Sequence, residues 1–165
     1  MTNTIKILLL TLVSGQVFIN YTYSQELTLK KMIDATTCRQ EDCFLDIIKD
    51  FDLCHIRTRT DSTGTYYRHQ NCGADSASAN RLIVHFAVLR NNNYNSSFLT
   101  WSEKYSKSLE KELEKYHFKK IDNADDPNKE RIWYHSADYS HLNIMWEELI
   151  DDKNVKRWHM GLVWE

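Results

Sequence analysis

Four cysteines, at positions 38, 43, 54 and 72, lie in the first half of this 165-residue chain and constrain its folding more than any other feature. In an exported chain an even set of cysteines reads first as a disulfide framework. Residues 53–60 and 65–72 have the pattern of two strands joined by the turn Asp61-Ser62-Thr63-Gly64. If residue 60 faces 66, then 58 faces 68, 56 faces 70 and Cys54 faces Cys72, so a bridge there clamps the open end of a hairpin. Cys38 and Cys43 flank a helix start with the spacing of the N′ and N4 positions, which often touch as a hydrophobic staple. A disulfide can take the place of that contact. The rival is a zinc site built from these thiols and a histidine, but its spacing fits no recognised pattern.

Export itself is written at the amino terminus. Lys6 precedes the apolar run Ile7–Val13, and Thr22 and Ser24 supply small residues at the −3 and −1 positions. This is the pattern signal peptidase requires, so residues 1–24 are expected to be a cleaved signal peptide. Ser14, Gly15 and Gln16 interrupt the run, which falls short of the roughly 20 apolar residues of a spanning helix. No second apolar run follows, so no membrane span is expected after cleavage. The location expected is secreted or periplasmic.

Residues 25–165 are expected to form one α+β domain, a size that sustains a real hydrophobic core. The formal net charge is −2, and loss of Lys6 makes it −3. A nucleic-acid binder is normally basic, so no nucleic acid is expected as partner.

Along the chain, 27–35 is weakly helical. Residues 41–51 form a clearer helix with Phe44, Ile47, Ile48 and Phe51 on one face. Residues 81–89 alternate as a central strand, with Leu82, Val84, Phe86 and Val88 pointing one way. The strongest helical pattern covers 98–116, with Phe98, Trp101, Tyr105, Leu109, Leu113 and Tyr116 as its apolar stripe. Short strands follow near 118–121, 131–135 and 142–146, and a longer one covers 157–164. A helix, a hydrophobic residue and a strand with paired aromatics (Tyr66-Tyr67, Trp133-Tyr134) recur about 65 residues apart, which suggests a duplicated unit with halves 25–92 and 93–165. The fold class expected is α+β, with helices packed on one face of an antiparallel sheet. In layout alone this plan is similar to the β-lactamase-inhibitor proteins. Those carry a bridge in each half, whereas here all four cysteines fall in the first, so no residue is carried over.

Phosphate loop, nucleophile elbow, helical zinc motif and calcium loop are all absent, so no catalytic residue, metal or cofactor is assigned. In the hairpin register above, His55, Arg57, Arg59, Tyr67 and His69 share a face, with Cys54, Ile56 and Tyr66 on the other. Two histidines with two arginines suit an anion, a partner, or acid–base work on a phosphate. The plainer reading is a solvated sheet face. His135, Asp138 and His141 straddle a turn and read as surface residues before they read as metal ligands. His85 reads as a hydrogen-bonded core histidine. Asn95-Ser96-Ser97 is a formal glycosylation sequon, and Asp61-Ser62-Thr63 and Asp75-Ser76-Ala77 resemble short envelope glycosylation sites. The function expected is a non-catalytic binding protein of the envelope or exterior, such as an inhibitor or toxin-immunity protein, with another protein as partner. The alternative is a small secreted hydrolase or nuclease working through the hairpin face.

Overall fold

A computed structural model describes residues 27–38, 40–73, 81–90, 94–122 and 130–164. Residues 1–24, expected to be a signal peptide, together with Asn91-Asn92-Asn93 and Asp75-Ser76-Ala77, lie outside the described residues. The class is α+β: three helices lie against one eight-stranded antiparallel sheet.

Helix α1, Leu29–Thr36, repeats apolar residues at helical spacing, and Leu29, Met32 and Ile33 are fully buried or nearly so. Its first turn is capped twice. Thr28 Oγ1 accepts from Lys31 N (3.4 Å), and Leu29 N donates to Glu112 Oε2 of the third helix (2.8 Å), which sets a carboxylate at the positive end of the helix dipole. Helix α2, Glu41–Ile48, passes into a 3₁₀ turn at Lys49–Phe51. Helix α3, Glu103–Lys115, begins at the N-cap Ser102, whose Oγ accepts from Tyr105 N (3.2 Å). It stops at His117, in the left-handed region at φ 57, where Phe118 N donates to Leu113 O.

The strands are β1 (Leu53–Thr60), β2 (Gly64–Asn71), β3 (Leu82–Leu89), β4 (Tyr94–Thr100), β5 (Lys119–Ile121), β6 (Ile132–His135), β7 (Leu142–Ile150) and β8 (Lys156–Trp164). Their order across the sheet is β1-β2-β3-β4-β8-β7-β6-β5. Each run of four consecutive strands is a meander, and the two meet where β4 pairs with β8. Helices α1 and α3 both contact this central pair.

One expectation is corrected here. The helical stripe placed Phe98 and Trp101 on the long helix, but residues 94–100 form β4 and the helix starts only at 103. Phe98 is buried between Val84 of β3 and Met160 of β8. Its strand is a central one, and the ladders on both sides outweigh a helical periodicity that Ser102 would in any case have capped. The boundary between the two runs of strands therefore falls after Thr100, not at 92.

The core lies between sheet and helices. Phe44 of α2 stacks on Phe86 of β3 with ring centroids 4.5 Å apart. Leu109, Leu113, Ile144, Met160 and Leu162 join it, and Thr36 of α1 hydrogen-bonds Ser96 of β4 inside the core. Cys38 is bridged to Cys43 and Cys54 to Cys72, so all four thiols are consumed and none is left for zinc. Two disulfides fit an oxidising, extracytoplasmic setting. Among the described residues no helix is long and apolar enough to cross a membrane.

Candidate functional site

The hairpin register decides which side chains share a face, and it differs from the expected one. Asp61 N donates to Gly64 O (3.0 Å), and Asp61 Oδ1 accepts from Thr63 N (2.8 Å). The turn is therefore tight, and β2 begins at Gly64. Thr60 faces Thr65, Thr58 faces Tyr67 and Arg57 faces Arg68. A bulge at Ile56 then shifts the ladder, and below it His55 faces His69 and Cys54 faces Gln70. The bridge from Cys54 to Cys72 thus runs diagonally across the ladder rather than straight across it.

A one-residue slip moves side chains to the opposite face. The five candidate residues are accordingly divided. His55, Tyr67 and His69 turn toward the helices. His69 is 2% exposed, with its ring 5.5 Å from Phe44 and 5.1 Å from His55. Neither of its nitrogens has a hydrogen-bond partner. Burial, and then the nearby His55, lower its pKa to about 4. Tyr67 packs on Phe86, and its hydroxyl is pushed above its ordinary pKa by burial and by Glu41. Arg57 and Arg59 lie on the other face, the one opposite the helices.

That open face carries a cleft of ≈ 1010 Å³. One row of the face that carries it begins with Arg57, Arg68 and His85 on β1, β2 and β3. It crosses Ser97 and Gly161 on the central pair and continues to Met145, Trp133 and Ile121 on β7, β6 and β5. The row is cationic at one end, small in the middle and apolar at the other end. A Cβ on Gly161 would sit 3.1 Å from Met145 Cε, so a larger residue there would have to displace the end of the Met145 side chain on β7.

His85 belongs to this cleft and not to the core, because β3 turns Leu82, Val84 and Phe86 to the helices and the alternate residues away from them. Its Nδ1 lies 3.3 Å from Ser97 Oγ. Loss of water in the concavity, then the charge of Arg68 and the neighbouring His159, hold its pKa below the ordinary histidine value. Arg59 pairs with Asp61 (3.0 Å). Glu147, 8% exposed, is held by Arg131 Nε (3.3 Å) and His159 Nδ1 (3.4 Å). For Arg57 and Arg68 no such carboxylate is found among the described residues. Arg68 Nε and Asn95 Oδ1, both in this cleft, are buried without hydrogen-bond partners.

Arg68, His85, Ser97 and His159 were missed by sequence reading. The signal was present as the alternation of β2 and β3, but its direction depended on the register. The remaining candidates disperse. His135 Nδ1 lies 3.1 Å from Asn143 Oδ1, Asp138 pairs with His117 (2.7 Å), and His141 sits beside Trp164. No group of three metal-ligating side chains occurs among the described residues. Asn95 of the sequon lies in a central strand, and its side-chain oxygen is buried.

Compared with protein-family models, with curated proteins and with solved structures, the chain matches none.

Proposed function

We propose that the chain is an exported, non-catalytic binding protein, secreted or periplasmic, that holds another protein against the open face of its sheet. The observation that carries this reading is the polarity of that face: a cleft with uncompensated arginines at one end, small residues on its floor and apolar side chains beyond. An inhibitor or an immunity protein against an exported toxin fits this description, because such a protein needs a rigid concave surface and no chemistry of its own. The matching order of the two runs of strands also reads as two copies of one helix-plus-sheet unit, joined edge to edge at β4 and β8.

The alternative, a secreted hydrolase or nuclease, loses its expected machinery, since His55 and His69 are separated by the sheet from Arg57 and Arg59. What remains to it is the contact of His85 with Ser97, in which no carboxylate orients the imidazole among the described residues.

The reading is tested with a photo-crosslinking side chain at Val163 in the cleft and, as control, at Lys111 on the exposed outer side of α3. In cells exporting the protein, a discrete adduct is expected from Val163 and none from Lys111. Filling the cleft by Ser97→Phe should remove it. Equal adducts from both positions, or none from Val163, would sink the proposal.

A further inference from the structure

We infer that the occupant of this cleft is an acidic segment of the partner protein, with its carboxylates on Arg57 and Arg68. The inference rests on the reading of the open face as a binding face and adds what that face recognises.

Charge is the first argument. Arg57 stands directly opposite Arg68, and Arg68 directly opposite His85. Like charges directly opposite on one face destabilise a sheet, so the Arg57–Arg68 pair works against the fold that carries it. On the same face Arg59 is answered by Asp61, and both His159 and Arg131 by Glu147. The repulsion between Arg57 and Arg68 is left standing. A carboxylate placed between them removes it and can engage each guanidinium in charge-assisted hydrogen bonds.

Hydrogen bonding is the second. A buried donor without an acceptor is rare in native proteins and calls for an explanation. Arg68 Nε is such a donor, and Asn95 Oδ1 on β4 is a buried acceptor lacking its donor. A ligand that satisfies both carries an acceptor and a donor, as an acidic peptide does with its carboxylate and its backbone N–H. Inorganic phosphate dianion has acceptor oxygens and one O–H donor on a single compact group, but no backbone to lie over the central strands. A long nucleic acid is opposed by the chain's net negative charge.

Shape is the third. Between the arginines and the apolar end lie Ala87, Ser97 and Gly161, whose side chains are the smallest available. They let a segment's backbone lie close over the central strands.

The test titrates the exported protein with a blocked (Glu-Ser)₄ peptide, its (Gln-Ser)₄ counterpart, inorganic phosphate and a short single-stranded DNA, each at low and moderate salt. The Glu peptide is expected to bind, more weakly as salt rises, and the Gln peptide not to bind. Arg57→Gln with Arg68→Gln should weaken binding at least tenfold, while Arg59→Gln, whose partner is internal, should weaken it less. Arg68→Lys keeps the charge but loses Nε and should fall between the two. Thermal unfolding of each variant checks that the fold is retained. Equal binding of the two peptides, an unchanged affinity in the double variant, or tighter binding of phosphate or DNA than of the Glu peptide would each overturn the inference. If the crosslink from Val163 is lost with Ser97→Phe but survives the double Arg variant, the face binds a partner without acidic recognition, so the two proposals fail separately.

Discussion

His69 is the residue whose environment asks most of the fold. Its ring is enclosed by Phe44, His55 and the sheet, and neither nitrogen finds a partner. A buried donor left unsatisfied costs about 1–3 kcal/mol. Replacing the ring by an apolar one of similar size, His69→Phe, is therefore expected to leave stability unchanged or raise it. The same burial makes stability depend on pH. Unfolded, the imidazole takes up a proton near its ordinary 6.5; folded, it does so only near about 4. Between those values the unfolded state binds the extra proton. Stability from this site is thus full above pH 6.5 and declines as pH falls toward 4, by up to about 3 kcal/mol. Denaturant midpoints measured from pH 7.5 to 4 should fall more steeply for the natural chain than for His69→Phe; parallel curves would refute the assignment. Gly64 is a second constrained position. A Cβ there would run into the Val88 carbonyl oxygen of the neighbouring strand. Gly64→Ala should cost about 1–3 kcal/mol, as overpacking usually does, and chemical unfolding reads it directly.

At the scale of elements, the β1–β2 hairpin depends on devices at both ends. The Asp61 turn fixes one end, and the Cys54–Cys72 bridge closes the other across 18 residues of sequence. Removing the bridge by Cys54→Ala with Cys72→Ala should lower stability by about 2–4 kcal/mol. Because β1 is an edge strand held otherwise only by β2, hydrogen exchange should quicken in Leu53–Thr60 before it does in β4 or β8. Uniform loss of protection over the whole sheet would show that the bridge supports the entire fold rather than its edge. The helices were easier to read than the strand that precedes α3. Phe98 and Trp101 fit a helical stripe in sequence, yet pairing on both sides drew Phe98 into β4.

Across the whole molecule, the two sides of the sheet differ: one is covered, and the other carries the open cleft. The helices and the core occupy the first side. On the second, Arg57 and Arg68 stand opposite each other with no carboxylate paired to either among the described residues. Arg57→Gln is accordingly expected to raise stability by a few tenths to about 1 kcal/mol while it weakens an acidic ligand. A variant that lost both stability and binding would mean that Arg57 has an internal structural role instead. Gains of this kind on removing a functional charge are the usual mark of a surface shaped for binding.

Sequence alone determined the class of the fold, the helices around Phe44 and Leu109, the alternation of β3 and the pairing of the four cysteines. Each of these rests on local physics: periodicity, capping and the few residues that a short turn can bring together. It also placed Arg57 and Arg59 away from the core. The composition of the cleft was decided only in the tertiary structure. Strand register has a period of two, so a turn one residue tighter and one bulge at Ile56 sent His55, Tyr67 and His69 to the helices and brought Arg68 up beside Arg57. His85 and Ser97 meet through the β3–β4 ladder, and Gly161, far away in sequence, joins them only because β4 pairs with β8. That pairing joins the two runs of strands into one sheet, and no local pattern in the chain specifies it.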